Sequence, residues 1–124
     1  LTMATTGLLS ASDIETVIGT TASTDELELL SSGTVAVSAV DSITGSSGLD
    51  VVTAGAGNDV VSGLSGNDTV EGGDGSDTLF GGDGVDVLRG GTGNDTIHAA
   101  SGDGNDFYDG GSGIEKIFGP LVTP

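Results

Sequence analysis

The sequence has no cysteine and almost no positive charge: Arg89 and Lys116 face 19 acidic side chains, for a formal net charge of -17. Without cysteine there is neither a disulfide framework nor a thiol site. A surface this negative repels phosphate, which excludes nucleic acid as a partner and disfavours anionic membrane surfaces. Tryptophan is absent and aromatics make up only 3% of residues, so no thick core of large rings can form. His98 is the only histidine, so the paired histidines of a zinc-hydrolase helix cannot occur. Nucleophile-elbow, phosphate-loop, dinucleotide-binding and EF-hand signatures are missing as well, and no catalytic role is expected. The start, Leu1-Thr2-Met3-Ala4, has no basic leader, and no apolar run is long enough for a span. Neither a signal peptide nor membrane insertion is therefore expected. High charge with modest hydrophobicity leaves two options, a disordered acidic chain or a fold completed by bound cations.

What is abundant is glycine, at 24 positions, and it is periodic. From Gly45 the chain divides into nine-residue units: GSSGLDVVT, AGAGNDVVS, GLSGNDTVE, GGDGSDTLF, GGDGVDVLR and GGTGNDTIH. Ala99 and Ala100 interrupt the register, which resumes with SGDGNDFYD from Ser101 and GGSGIEKIF, ending at Phe118. Position four is always glycine. Position six is always acidic, through Asp50, Asp59, Asp68, Asp77, Asp86, Asp95, Asp106 and Glu115. Position eight is always apolar, from Val52 to Tyr108 and Ile117. Gly, Asn and Asp all favour turns, but a turn alone does not require an acid at every sixth position.

This G-G-x-G-x-D-x-U-x pattern resembles the RTX, or haemolysin-type, calcium-binding repeat. The resemblance implies an all-β fold, a right-handed parallel β-roll (β-solenoid) with two nonapeptides per coil and calcium ions between turns. In such a roll six residues of each unit turn and the last three form a strand. Elementary geometry agrees: in a short strand position eight points inward while seven and nine point outward, and successive coils stack about 4.8 Å apart. A core of one aliphatic side chain per strand is thin. Carboxylates stacked at one-coil spacing repel by roughly 3 to 4 kcal/mol per neighbouring pair at about 5 Å and an effective dielectric near 20. A cation between turns reverses that sign. Oxygen donors alone, without thiols, select a hard ion of flexible coordination, calcium before magnesium and not zinc.

The ligand set follows from the resemblance. One turn supplies carbonyls of positions two and four and its acid; the turn one coil later supplies carbonyls of positions one and three and its own acid. Gly73, Gly75 and Asp77 thus face Gly90, Thr92 and Asp95, while Leu64, Gly66 and Asp68 face Gly81, Asp83 and Asp86. Gly55, Gly57 and Asp59 face Gly72, Asp74 and Asp77; Ser46, Gly48 and Asp50 face Gly63, Ser65 and Asp68. Gly82, Gly84 and Asp86 pair with Ser101, Asp103 and Asp106 across the two-alanine insertion. Gly91, Gly93 and Asp95 pair with Gly110, Ser112 and Glu115, whose longer side chain alters the last site. Ser46 and Leu64 lack glycine's freedom, which weakens the N-terminal sites. Roughly four to six ions are expected. Six would bring the charge of -17 to about -5, so ion binding and folding form one event.

Residues 1–44 are expected to form a β-rich cap or metal-free coils in which Leu27, Leu29, Val35, Val37 and Val40 pack in place of ions. Residues 45–118 form the calcium-binding roll and 119–124 a tail. A related hexapeptide recurs at Ile14–Gly19, Val40–Gly45 and Ile114–Gly119. His98 is read as a solvated strand end, and Phe80, Phe107 and Phe118 as scattered surface rings. Two sequons, at Asn67 and Asn94, follow from the repeat itself. The expected function is a calcium-binding structural module of a secreted or cell-surface bacterial protein that folds and self-associates, in a surface layer, matrix or filament, when calcium binds. The alternative is a calcium-triggered folding and export module among neighbouring domains of a longer toxin or hydrolase.

Overall fold

The computed structural model describes residues 8–11, 16–18, 26–29, 33–38, 40–98 and 105–119. Their strands are β1 (Leu8–Ala11), β2 (Thr16–Ile18), β3 (Glu26–Leu29), β4 (Thr34–Ser38), β5 (Ser42–Thr44), β6 (Val51–Ala56), β7 (Val60–Ser65), β8 (Thr69–Asp74), β9 (Thr78–Asp83), β10 (Val87–Thr92), β11 (Thr96–His98), β12 (Phe107–Ser112) and β13 (Lys116–Phe118). Odd strands make a seven-stranded sheet in chain order, and even strands make a six-stranded one. Every pairing is parallel. Each strand therefore joins the strand two places on, and the chain winds between two facing sheets as a parallel β-solenoid. Among the described residues there is no helix, hence none long and apolar enough to cross a membrane.

Strands in the regular region are longer than the family pattern implies. Those from β6 to β10 hold six residues, because positions one to three of the next unit continue the ladder. Gly73 lies in register with Gly55 on one side and Gly91 on the other. The extension adds a third inward-facing position. Alternation along Thr69–Asp74 buries Val70 and Gly72, and Asp68 just before the strand is buried too. Position one must then be small. A Cβ on Gly72 would meet the Asp77 carboxylate and lie 2.7 Å from the Gly90 carbonyl oxygen.

Between the sheets runs the expected thin core. Val52, Val61, Val70, Leu79, Leu88 and Ile97 are at most 1% exposed, and Tyr108 packs against them. Aliphatic columns form because the register aligns position eight through the coils: Ile43, Val61, Leu79, Ile97 and Ile117 follow one another. Ile117 is 43% exposed, since among the described residues no further strand pairs with the outer edge of β13.

The described N-terminal strands belong to the same two sheets. Leu27 pairs with Ile43 and Val35 with Val52. Leu27, Leu29, Val35, Val37 and Val40 are all buried in the common core. All three copies of the recurring hexapeptide contribute a strand, β2, β5 and β13. The two-alanine insertion lies between β11 and β12. Register survives it, with Val87 pairing to Phe107 and Thr96 to Lys116.

His98 corrects its expectation. It is not simply a solvated strand end: its ring stacks on Phe80 at 4.6 Å and on Phe118 at 4.9 Å between centroids. Phe80 and Phe118 share its outward position nine in the same sheet, so the register itself builds the stack. Phe107 is separate, in the other sheet, with Arg89 5.7 Å over its ring.

A core this thin predicts steep sensitivity at position eight. Leu79→Ala is expected to lower stability by about 2 to 5 kcal/mol, whereas Val60→Ala, at an outward position, changes it by about 0.5 kcal/mol or less. Thermal unfolding at saturating calcium measures both, and equal effects would contradict the assigned inward face.

Candidate metal centres

The sixth position is where the strand's inward alternation begins, so its carboxylate is drawn inside the roll at the edge of a turn. Asp50, Asp59, Asp68, Asp77, Asp86 and Asp95 are all buried. Burying a row of acids with no cation nearby costs heavily unless each oxygen finds a partner. One oxygen does. The backbone N–H of Asp50 donates to Oδ1 of Asp68 at 2.8 Å, Asp59 to Asp77 at 2.9 Å, Asp68 to Asp86 at 2.9 Å, Asp77 to Asp95 at 2.9 Å and Asp86 to Asp106 at 3.0 Å. The carboxylates thus join adjacent coils along two columns.

Their second oxygens do not. Oδ2 of Asp59, Asp68, Asp77, Asp86 and Asp95, and Oε1 of Glu115, are buried and accept no hydrogen bond. Burial pushes the Asp59 carboxyl up to about 6, with help from Asp77 and Asp41. Asp68 is likewise pushed up to about 6 by burial, opposed by the amide of Asp50 and reinforced by Asp86 and Asp50. Asp77 and Asp86 are raised from the ordinary carboxylate range by burial as well, despite the amides that each accepts. Desolvated carboxylate oxygens without donors are the environment that a hard cation stabilises.

Backbone carbonyls converge on the same inter-coil gaps. A Cβ on Gly75 would sit 2.6 Å from the carbonyl carbon of Gly57, with its oxygen nearer still, and Gly84 relates to Gly66 in the same way at 2.7 Å. Position-two carbonyls behave alike: those of Gly55, Leu64 and Gly73 point at Gly73, Gly82 and Gly91 one coil on. Position-one carbonyls face back, that of Gly90 toward Gly72 and that of Gly81 toward Gly63. Position-three carbonyls are engaged, Asp74 accepting from Gly57 N–H at 2.9 Å, Asp83 from Gly66 at 2.9 Å and Thr92 from Gly75 at 2.8 Å. Each retains a second lone pair. Among the described residues no three acidic or imidazole side chains converge, so a cation here would depend on backbone oxygens. Oriented carbonyls and desolvated carboxylate oxygens fit calcium.

Leu64 occupies position two without glycine's freedom and nevertheless adopts φ of 77°, so its turn matches its neighbours. The first turn differs. Asp50 keeps no oxygen without a partner: Oδ1 accepts Gly33 N–H at 3.0 Å, and Oδ2 accepts the Ser46 amide at 2.7 Å with the Ser46 hydroxyl at 3.0 Å. Asp106 accepts the Asp86 amide and so continues its column, Glu115 has only a buried Oε1 without a donor, and Ser101 and Asp103 lie outside the described residues. Sequence reasoning missed the asparagines of position five. Asn58, Asn67 and Asn94 accept the backbone N–H of Ser76, Val85 and Ile114 one coil on, at 2.8, 3.0 and 3.0 Å. Their recurrence beside the aspartate was the available signal.

A family model described as the RTX calcium-binding nonapeptide repeat (4 copies) matches residues 36–70, 62–97 and 80–114. Together these cover 36–114, more than half of the chain. No curated protein and no solved structure matches.

The raised carboxyls give a signed pH dependence. Folded Asp59 and Asp68 hold protons up to about pH 6, whereas unfolded aspartates release them near about pH 4. The folded state thus binds more protons over that window, and its metal-free stability falls as pH rises through it. Calcium-depleted chain should gain β signal in circular dichroism on acidification from about pH 7.5 to about pH 5, and the calcium midpoint should move to higher concentration. A flat profile would contradict the buried carboxylate columns.

Proposed function

The chain belongs to the RTX calcium-binding nonapeptide repeat family, and from that membership we propose that calcium between its turns locks it into a structural module of a secreted or cell-surface bacterial protein. The observation that carries this reading is the division of labour within Asp68, Asp77, Asp86 and Asp95. One oxygen holds the neighbouring coil and the other is buried without a donor.

The residues that would hold the ions are those of the carried-over pairs. Asp59, Asp68, Asp77, Asp86 and Asp95 supply carboxylates; Gly55, Gly57, Gly66, Gly73, Gly75, Gly82, Gly84, Gly91 and Gly93 supply forward carbonyls. Gly72, Gly81 and Gly90, with Asp74, Asp83 and Thr92, supply carbonyls from the following coil. Asp106 completes the far end of one column, Gly48 and Asp50 stand at its near end where the carboxylate already has protein donors, and the total is roughly four to six ions. Calcium bound there supplies positive charge between like-charged turns, and the chain's part is to fix the oxygens that receive it. The strands before the first repeat turn are metal-free coils that shield one end of the solenoid by apolar packing.

With a net charge of -17 and few counter-charges, the chain without calcium is expanded at neutral pH. Circular dichroism after chelation should show loss of β structure, recovered at about millimolar calcium, the range of extracellular modules, and poorly by magnesium. An unchanged β spectrum in chelator would refute the coupling. Electron microscopy with and without calcium separates the two roles. Sheets or filaments that need calcium support a surface layer or matrix, whereas a monodisperse folded monomer supports a folding and export module.

A further inference from the structure

The turn Gly45–Asp50 is built differently from the other described turns. From Gly55 and Gly57 through Leu64 and Gly66 to Gly111 and Gly113, positions two and four have positive φ in each fully described turn. Neither Ser46 nor Gly48 does. Ser46 is only 7% exposed, and its amide and hydroxyl both reach Asp50 Oδ2, the oxygen that has no partner in the inner aspartates. The same hydroxyl accepts the N–H of Gly48 at 3.2 Å, closing the turn on itself. On the preceding coil Gly33 N–H takes the other carboxylate oxygen. Asp50 is thus a buried carboxylate whose charge is met by neutral donors.

We propose that Ser46 takes the place of an ion at this turn, so that the calcium ladder of its column begins one coil later, between Asp68 and Asp86. The physical argument is competition for one oxygen. Amide and hydroxyl donors already in the turn need no desolvation of an incoming cation, and the turn they close keeps Ser46 and Gly48 out of the positive-φ conformation of the other turns, although the Gly48 carbonyl still faces Gly66. In the other column Asp59 has a buried oxygen without a donor, so there the ladder starts earlier. Serine at position two is therefore a stop signal. It sets how many ions the chain takes and marks where apolar packing gives way to metal.

This inference rests on the calcium reading above. Calcium bound per chain, counted by equilibrium dialysis with elemental analysis on the full chain, tests both separately. Ser46→Gly removes the hydroxyl and restores the backbone freedom of position two, and should raise the count by one. Asp50→Asn should leave the count unchanged, whereas Asp68→Asn should lower it. No calcium on the unaltered chain would overturn the calcium reading and this inference with it. A calcium-loaded unaltered chain whose count does not rise in a folded Ser46→Gly variant, or falls in Asp50→Asn, would overturn the inference alone. Should Ser46→Gly not fold, the Asp50→Asn count decides.

Discussion

The structure depends on a single repeated hydrogen bond, from the backbone N–H of one buried aspartate to the carboxylate of the aspartate one coil on. It is charge-assisted and buried, which makes it stronger than an ordinary amide contact. It also forces the acids into columns. Every coil that forms it brings another negative charge next to the last, so the contact that aligns the coils makes the aligned state electrostatically costly. On the reading proposed above, ions from outside the chain offset that cost.

Close stacking constrains everything else. At the inward first position a Cβ on Gly63, Gly72, Gly81 or Gly90 would meet a buried carboxylate, and Ala54 is the largest residue buried there in the regular turns. Positions two and four bring one coil's carbonyls against the next coil's α-carbons, so a side chain at Gly75 would meet backbone rather than a yielding side chain. The asparagines at position five add a second tie between coils, farther out, that accepts an amide without adding charge. Apolar packing is left to one row per sheet.

Most of this was legible in the sequence because a solenoid converts period into position. Nine-residue spacing sufficed to place Asp68 above Asp50 and Leu79 between Val61 and Ile97. Features that depend on a particular side chain's reach were not legible. The inward turn of position one became visible only once six-residue strands replaced the expected three. The stack of Phe80, His98 and Phe118 follows from three aromatics sharing position nine across an insertion, a coincidence that no single unit displays. Ser46 reads as a weakened glycine in the sequence, whereas its hydroxyl and amide are the substance of its turn.

Pairing across the interruption at Ala99 and Ala100 has one more implication. Asp86 and Asp106 are joined at a separation of 20 residues where their predecessors are joined at 18, and the aliphatic and aromatic columns continue unbroken. Length added between two strands is absorbed in one connection and is not transmitted along the axis. Such a chain can lengthen by duplicating units or acquire loops between them, and the neighbouring coils need not change. Each coil answers only to those directly above and below, so the architecture can vary in span and ornament while its internal spacing stays fixed.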